Sequence, residues 1–115
     1  MKRVLLSTLI LIFIAVSAYA ADVVAKHETA TATVTTVSSY FYGVLVTPDG
    51  TNDVTITVYN GTSTSGDKIT PAMTFAGDGG TQYLPLQNPI ACPHGVHVVA
   101  TTTGTVEYVV YYRQR

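Results

Sequence analysis

Cysteine and histidine crowd one short segment of the chain, Cys92-Pro93-His94-Gly95-Val96-His97. A thiolate and two imidazoles are ligands that zinc and copper favour. His27, the remaining histidine, is available as a fourth ligand if the N-terminal segment folds back. The spacing fits no common template. A zinc finger needs more Cys or His, and a haem attachment site needs two Cys ahead of its His. A blue-copper loop adds a Met, but none follows Cys92, and Met73 lies in another segment. The plainer expectation is an exposed turn histidine, a strand histidine facing solvent, a small buried thiol, and no cofactor. Cys92 is the only cysteine, so no internal disulfide can form. In an oxidising compartment a lone thiol is either buried and inert or the site of an intermolecular disulfide.

Acidic side chains offer a second chemistry. Asp49, Asp53, Asp67 and Asp78 fall in or beside loops, where carboxylates and carbonyls suit calcium. No Asp-x-Asp-x-Asp run accompanies them, and Asp in a turn commonly serves its own backbone. Nucleophilic catalysis has little support: there is no Gly-x-Ser-x-Gly elbow. Glu28 and Glu107 are the only glutamates, which leaves paired-carboxylate hydrolysis poorly supplied. The chain reads as non-enzymatic.

The tyrosines are the stronger binding candidates. Tyr40, Tyr42, Tyr108, Tyr111 and Tyr112 lie on two strand-like segments, and a ring with a polar tip suits protein interfaces and sugar stacking. Tyr111 shares its face with Glu107, Val109 and Arg113, the more polar side of its segment, and is the ring most expected to be exposed. Asn60-Gly61-Thr62 also fits an N-glycosylation acceptor, although Asn-Gly is equally a tight-turn pair.

The segments that carry these residues read as strands. Thr, Val and Tyr dominate, residues that favour a pleated surface, and apolar positions recur every second residue rather than at helical spacing. Thr29–Val37 reads as a first strand behind a polar arm. Ser39–Thr47 is apolar on both sides, with Tyr40, Tyr42, Val44 and Val46 on one face and Phe41 and Leu45 on the other. Thr47-Pro48-Asp49-Gly50 is a turn. In Asp53–Tyr59, Val54, Ile56 and Val58 oppose Thr55, Thr57 and Tyr59. Lys68–Ala76 reads as an edge or bulged strand because Pro71 cannot donate a ladder hydrogen bond. Tyr83–Ala91, with Pro85 and Pro89, reads as short and irregular. Val96–Thr102 and Thr105–Arg113 read as a terminal hairpin, with Val106, Tyr108, Val110 and Tyr112 on one face. Six to seven short strands with regular turn signals predict an all-β antiparallel sandwich, jelly-roll-like, without helix.

Ahead of this domain stands a different segment. Lys2 and Arg3 precede an apolar run, Val4–Val16, and Ala18-Tyr19-Ala20 supplies small residues at cleavage positions. Residues 1–20 therefore read as a signal peptide, residues 21–38 as arm and first strand, and residues 39–115 as the sandwich. The apolar run is short for a bilayer crossing. The expected location is secreted or periplasmic, with no membrane span after cleavage and no Cys placed for lipidation. Beyond residue 20, four Lys and Arg face seven Asp and Glu, a balance that argues against nucleic acid as a partner.

The stretch Tyr42–Gly66, with Tyr42-Gly43-Val44-Leu45-Val46-Thr47-Pro48-Asp49-Gly50 leading into Asp53–Tyr59 and Asn60-Gly61, resembles small β-sandwich proteins of bacteria and tailed phages. The ending resembles them too: Pro89-Ile90-Ala91-Cys92 before a Gly95-Val96 strand, then Thr103-Gly104-Thr105. In the phage cases such domains look like virion surface or fibre modules that self-associate. The resemblance implies self-association and no catalytic residue. An export signal is a departure from a virion protein assembled in the cytoplasm. Self-association also fits a low net charge, which weakens repulsion between copies, and an N-terminal segment able to add as a strand to a neighbour's edge. The leading expectation is a structural or surface protein whose partner is itself, as a small oligomer or a filament subunit. The alternative is a monomeric binding module for carbohydrate or a cell-surface ligand.

Overall fold

A computed structural model describes residues 22–115; the predicted signal peptide lies outside the described residues. Nine strands, all antiparallel, form two packed sheets. They are β1 Val24–Glu28, β2 Ala32–Thr35, β3 Ser39–Pro48, β4 Val54–Asn60, β5 Asp67–Lys68, β6 Met73–Phe75, β7 Gln82–Cys92, β8 Val96–Thr101 and β9 Val106–Gln114. The described residues contain no helix, and so none long and apolar enough to cross a membrane.

The pairing is that of one long hairpin rolled up on itself. β1 pairs with β9, β2 with β8, β3 with β7, and β4 with β5 and β6. Rolling brings β9 against β3 and β8 against β4. The first sheet has the order β1-β9-β3-β7; the second runs β2-β8-β4-β5, with β6 also beside β4. This nested order is a jelly roll.

Several boundaries differ from the sequence reading, each for a local reason. The arm and first strand are integral to the sandwich: β1 closes the edge of the first sheet, and β2 crosses to the second. Tyr108 pins that crossing, its buried hydroxyl donating to Ala30 O at 2.6 Å. Burial and the nearby Glu28 carboxylate both push its phenol pKa upward. Residues 96–113 do not form a hairpin. β8 and β9 lie in different sheets, so Val96 and Val98 face Val106, Tyr108 and Val110 across the core. The predicted Lys68–Ala76 strand splits into β5 and β6 around Pro71. In the gap, the Val58 amide donates to the Thr70 hydroxyl at 3.0 Å instead of to a backbone carbonyl. β7 is longer than expected. Its pairing with β3 skips from Ile90 to Pro85, so residues 86–89 leave the ladder.

The consequential difference is in β3. Phe41 opposes Tyr112 and Gly43 opposes Tyr111, so Tyr42 is one residue too many for its partner. This β-bulge reverses the alternation. Before it, Phe41 points into the core with Tyr40 and Tyr42 outward. After it, Val44 and Val46 point inward with Leu45 outward. The grouping of Tyr40 and Tyr42 with Val44 and Val46 is thereby corrected. β4 and β9 alternate as read: Val54, Ile56 and Val58 are fully buried, as are Val110 and, at 1% exposure, Tyr108.

Candidate functional site

The outer face of the first sheet gathers four accessible tyrosine rings. From β3 come Tyr40, Tyr42, Leu45 and Thr47; from β9 come Glu107, Val109, Tyr111 and Arg113. β7 adds Tyr83, which opposes Leu45, and β1 adds Ala25 and His27, opposite Tyr111 and Val109. The Arg113 guanidinium lies 5.2 Å from the Tyr40 ring centroid and 5.9 Å from that of Tyr42. Arg115 covers Tyr40 from 5.2 Å. Tyr83 and Tyr111 meet edge to face, 5.8 Å apart at 80°. At the other end of the face, the exposed His27 Nε2 lies 3.8 Å from Glu107 Oε1. A hollow of about 100 Å³ there is lined by His27, Leu45, Thr47, Glu107 and Val109, with Tyr108 beneath.

Three of the five tyrosines singled out from sequence, Tyr40, Tyr42 and Tyr111, are therefore on one surface. The other two are not accessible. Tyr108 and Tyr112 sit on the inward face of β9, at 1% and 8% exposure, because that parity places them with Val110 in the core. Sequence reasoning passed over Tyr83, which is 56% exposed. Its signal is the alternation of Tyr83 and Pro85 with the inward Leu84 and Leu86.

The Cys-His segment does not assemble. Cys92 is fully buried, with Sγ donating to Ile90 O at 3.6 Å. His94 lies in the following turn, held by its backbone amide donating to Asn60 Oδ1 at 2.9 Å. His97 points outward from the second sheet, with Nδ1 2.9 Å from Thr33 Oγ1 and its ring centroid 6.3 Å from that of Tyr59. His27 is on the outside of the opposite sheet. Strand alternation thus sends the thiol inward and the two strand imidazoles outward on opposite sides. Among the described residues no three His, Cys, Asp or Glu side chains group as metal ligands.

Nor is Cys92 placed for an intermolecular disulfide while the sandwich is closed. Burial pushes its thiol up to about 11, against both thiolate formation and access. Native protein at pH 8 is expected to resist a thiol-specific reagent until denaturant is added. Stoichiometric labelling within minutes without denaturant would overturn this placement.

The loop after β3 is occupied in holding the end of the sandwich. Asp49 Oδ1 accepts from the amides of Thr51 and Asn52 at 2.9 and 2.8 Å. Its Oδ2 accepts from Asn52 Nδ2 at 2.9 Å and from the Thr105 amide at 3.3 Å. Thr103 Oγ1 donates to Asn52 Oδ1 at 2.9 Å. Asp53 Oδ1 accepts from the Gly77 amide at 2.8 Å. These two carboxylates thus bind backbone, the ordinary role of turn acids. Asp67 and Asp78 are exposed elsewhere. An open hollow of about 570 Å³ beside Asp49 is lined by Thr29, Thr47, Gly104 and Glu107 among others.

The Asn52 and Thr51 hydrogen bonds hold the Asp49 carboxyl well below the usual range. A depressed folded pKa stabilises above the unfolded value and is lost as pH falls toward the folded one. The wild-type melting temperature is therefore expected to decline below about pH 4, and Asp49→Asn to flatten that decline. Parallel Tm–pH curves for the two proteins would remove Asp49 as the source.

No protein-family model matches the chain, and neither a curated protein nor a solved structure matches it.

Proposed function

We propose that this is an extracytoplasmic, non-enzymatic structural or surface protein that works by associating with copies of itself. The observation that carries the reading is the outer face of the first sheet, with Tyr40, Tyr42, Tyr83, Tyr111 and Arg113 on one surface. Tyr and Arg are enriched at association surfaces, where a rigid ring supplies area and a polar tip stays satisfied. The leader-like residues 1–20 support export.

The β7 edge of the jelly roll favours a face over an added strand as the means of contact. β7 is a free edge of the first sheet, and Pro85 and Pro89 remove two donors from it. β1 and β2, which an exchanged arm would have to release, are paired within the same chain. Carbohydrate is the weaker reading of the same surface. Tyr83 and Tyr111 stand at 80° and cannot both lie flat beneath one sugar ring, and Arg113 and Arg115 cover Tyr40.

The test is the solution mass of the exported protein, by light scattering after size exclusion, with and without reductant. A species larger than the monomer that survives reductant is expected. A monomer in both conditions at high concentration would sink the reading and turn attention to glycan screening.

A further inference from the structure

Resting on that self-association reading, we infer that the tyrosine-rich face closes on a second copy as a two-fold dimer, with Arg113 of each copy paired to Glu107 of the other. The charge pattern supplies the argument. Glu107 and Arg113 lie on the same face of β9, six residues apart, about 20 Å along the strand. Between them are Val109 and Tyr111, flanked by Leu45, Tyr42 and Tyr83. The face is thus basic at one end, with Arg113 and Arg115, acidic at the other, with Glu107, and apolar between. His27, beside Glu107, is the other titratable group at the acidic end. Among the described residues neither arginine has a carboxylate within ion-pair distance; the ion pairs there are Lys26–Glu28 and His27–Glu107.

A surface with this pattern complements itself when turned end over end. A two-fold axis in the contact plane, crossing the strands at the level of Val110, lays β9 antiparallel over its copy. Each Arg113 then stands over a Glu107, and each Tyr111 over a Val109. Tyr42 comes to the level of Leu45. The 100 Å³ hollow lined by His27, Leu45, Thr47, Glu107 and Val109 lies where the incoming arginine ends. An isologous contact of this kind is closed and stops at two copies. Its size is near the lower limit for a stable pair. Four strands about 4.8 Å apart and nine residues at about 3.3 Å give roughly 19 × 30 Å per copy. The two copies together thus bury about 1,100 Å², just under the range of standard protein interfaces, so a weak, reversible affinity on the order of micromolar or weaker is expected.

Charge reversal tests the pairing on the protein expressed with its leader and purified after export. Arg113→Glu and Glu107→Arg each place two like-charge contacts in the dimer. Each is expected to raise the dissociation constant about tenfold or more, read by analytical ultracentrifugation. An equimolar mixture of the two variants restores both pairs, as does the double variant, and both are expected to recover dimer. Recovery on mixing also requires that each variant be folded. If wild type is dimeric but the single reversals leave it unchanged, or mixing recovers nothing, the pairing is overturned while self-association stands. A wild-type assembly larger than two has the same consequence. A monomeric wild type overturns both readings.

Discussion

Gly43→Ala is expected to lower the melting temperature by roughly 12–24 °C, a loss of about 3 kcal/mol. Two costs combine at this position. Its φ of +145° lies in a region that L side chains rarely adopt. An added Cβ would also collide with the Leu84 carbonyl oxygen and come within 3.2 Å of Pro85 Cα. Those atoms are backbone of the paired β7 and cannot swing aside. Gly50 isolates one cost from the other: its φ is +98°, but its Cβ would meet nothing within 4 Å. Gly50→Ala should therefore lose only the conformational part, about 1 kcal/mol. Thermal unfolding followed by circular dichroism compares the two. Equal losses would mean that β7 yields to the new methyl and that the close approach does not fix the bulge.

The bulge matters beyond stability because it decides which residues of β3 are surface. A strand of strict alternation that buries Val44 and Val46 would bury Tyr40 and Tyr42 with them. One extra residue at Tyr42 lets Phe41, Val44 and Val46 all reach the core and leaves both tyrosines beside Tyr111 and Arg113. The candidate face exists because of that offset.

This is also where the sequence was hardest to read. β4 and β9 were legible because each keeps one parity from end to end, so Val54-x-Ile56-x-Val58 and Val106-x-Tyr108-x-Val110-x-Tyr112 announce their buried sides. β3 looked apolar on both faces because two parities are spliced at Gly43, and a lone glycine does not reveal whether it is a bulge. The same limit affects the connections. Pro48-Asp49-Gly50 and Thr103-Gly104 mark turns, but a turn residue does not say whether the chain returns beside itself or crosses to the other sheet. Here both cross. Asp49 helps to hold the two crossings together, accepting from Thr51 and Asn52 in one and from Thr105 in the other. Its role depends on residues more than fifty positions apart. Of the site, the tyrosines on β3 and β9 were visible as a class, but burial separated Tyr108 and Tyr112 from the rest. Tyr83 could join them only once β7 was known to lie beside β3.

Adjacent residues on β3 should accordingly respond in opposite ways. Phe41→Ala removes a fully buried ring that lies between Tyr112 on one neighbouring strand and Ile90 on the other. It is expected to cost about 3–5 kcal/mol. That is a large share of the roughly 5–15 kcal/mol that holds a typical domain together, and the melting temperature should fall by roughly 12–40 °C. Tyr42→Ala removes an outward ring beneath Arg113. It should cost no more than about 1 kcal/mol in denaturant unfolding, because the opened space fills with water and no core cavity forms. Its effect belongs to association: the variant stays folded while the dimer weakens, since a central ring is lost from the contact. Were Tyr42→Ala the more destabilising of the two, the alternation would run unbroken through β3, Tyr42 would belong to the core, and the aromatic face would lose the offset on which it is built. Were Tyr42→Ala as stable as expected but fully associated, the bulge would stand and the contact would lie elsewhere on the sandwich.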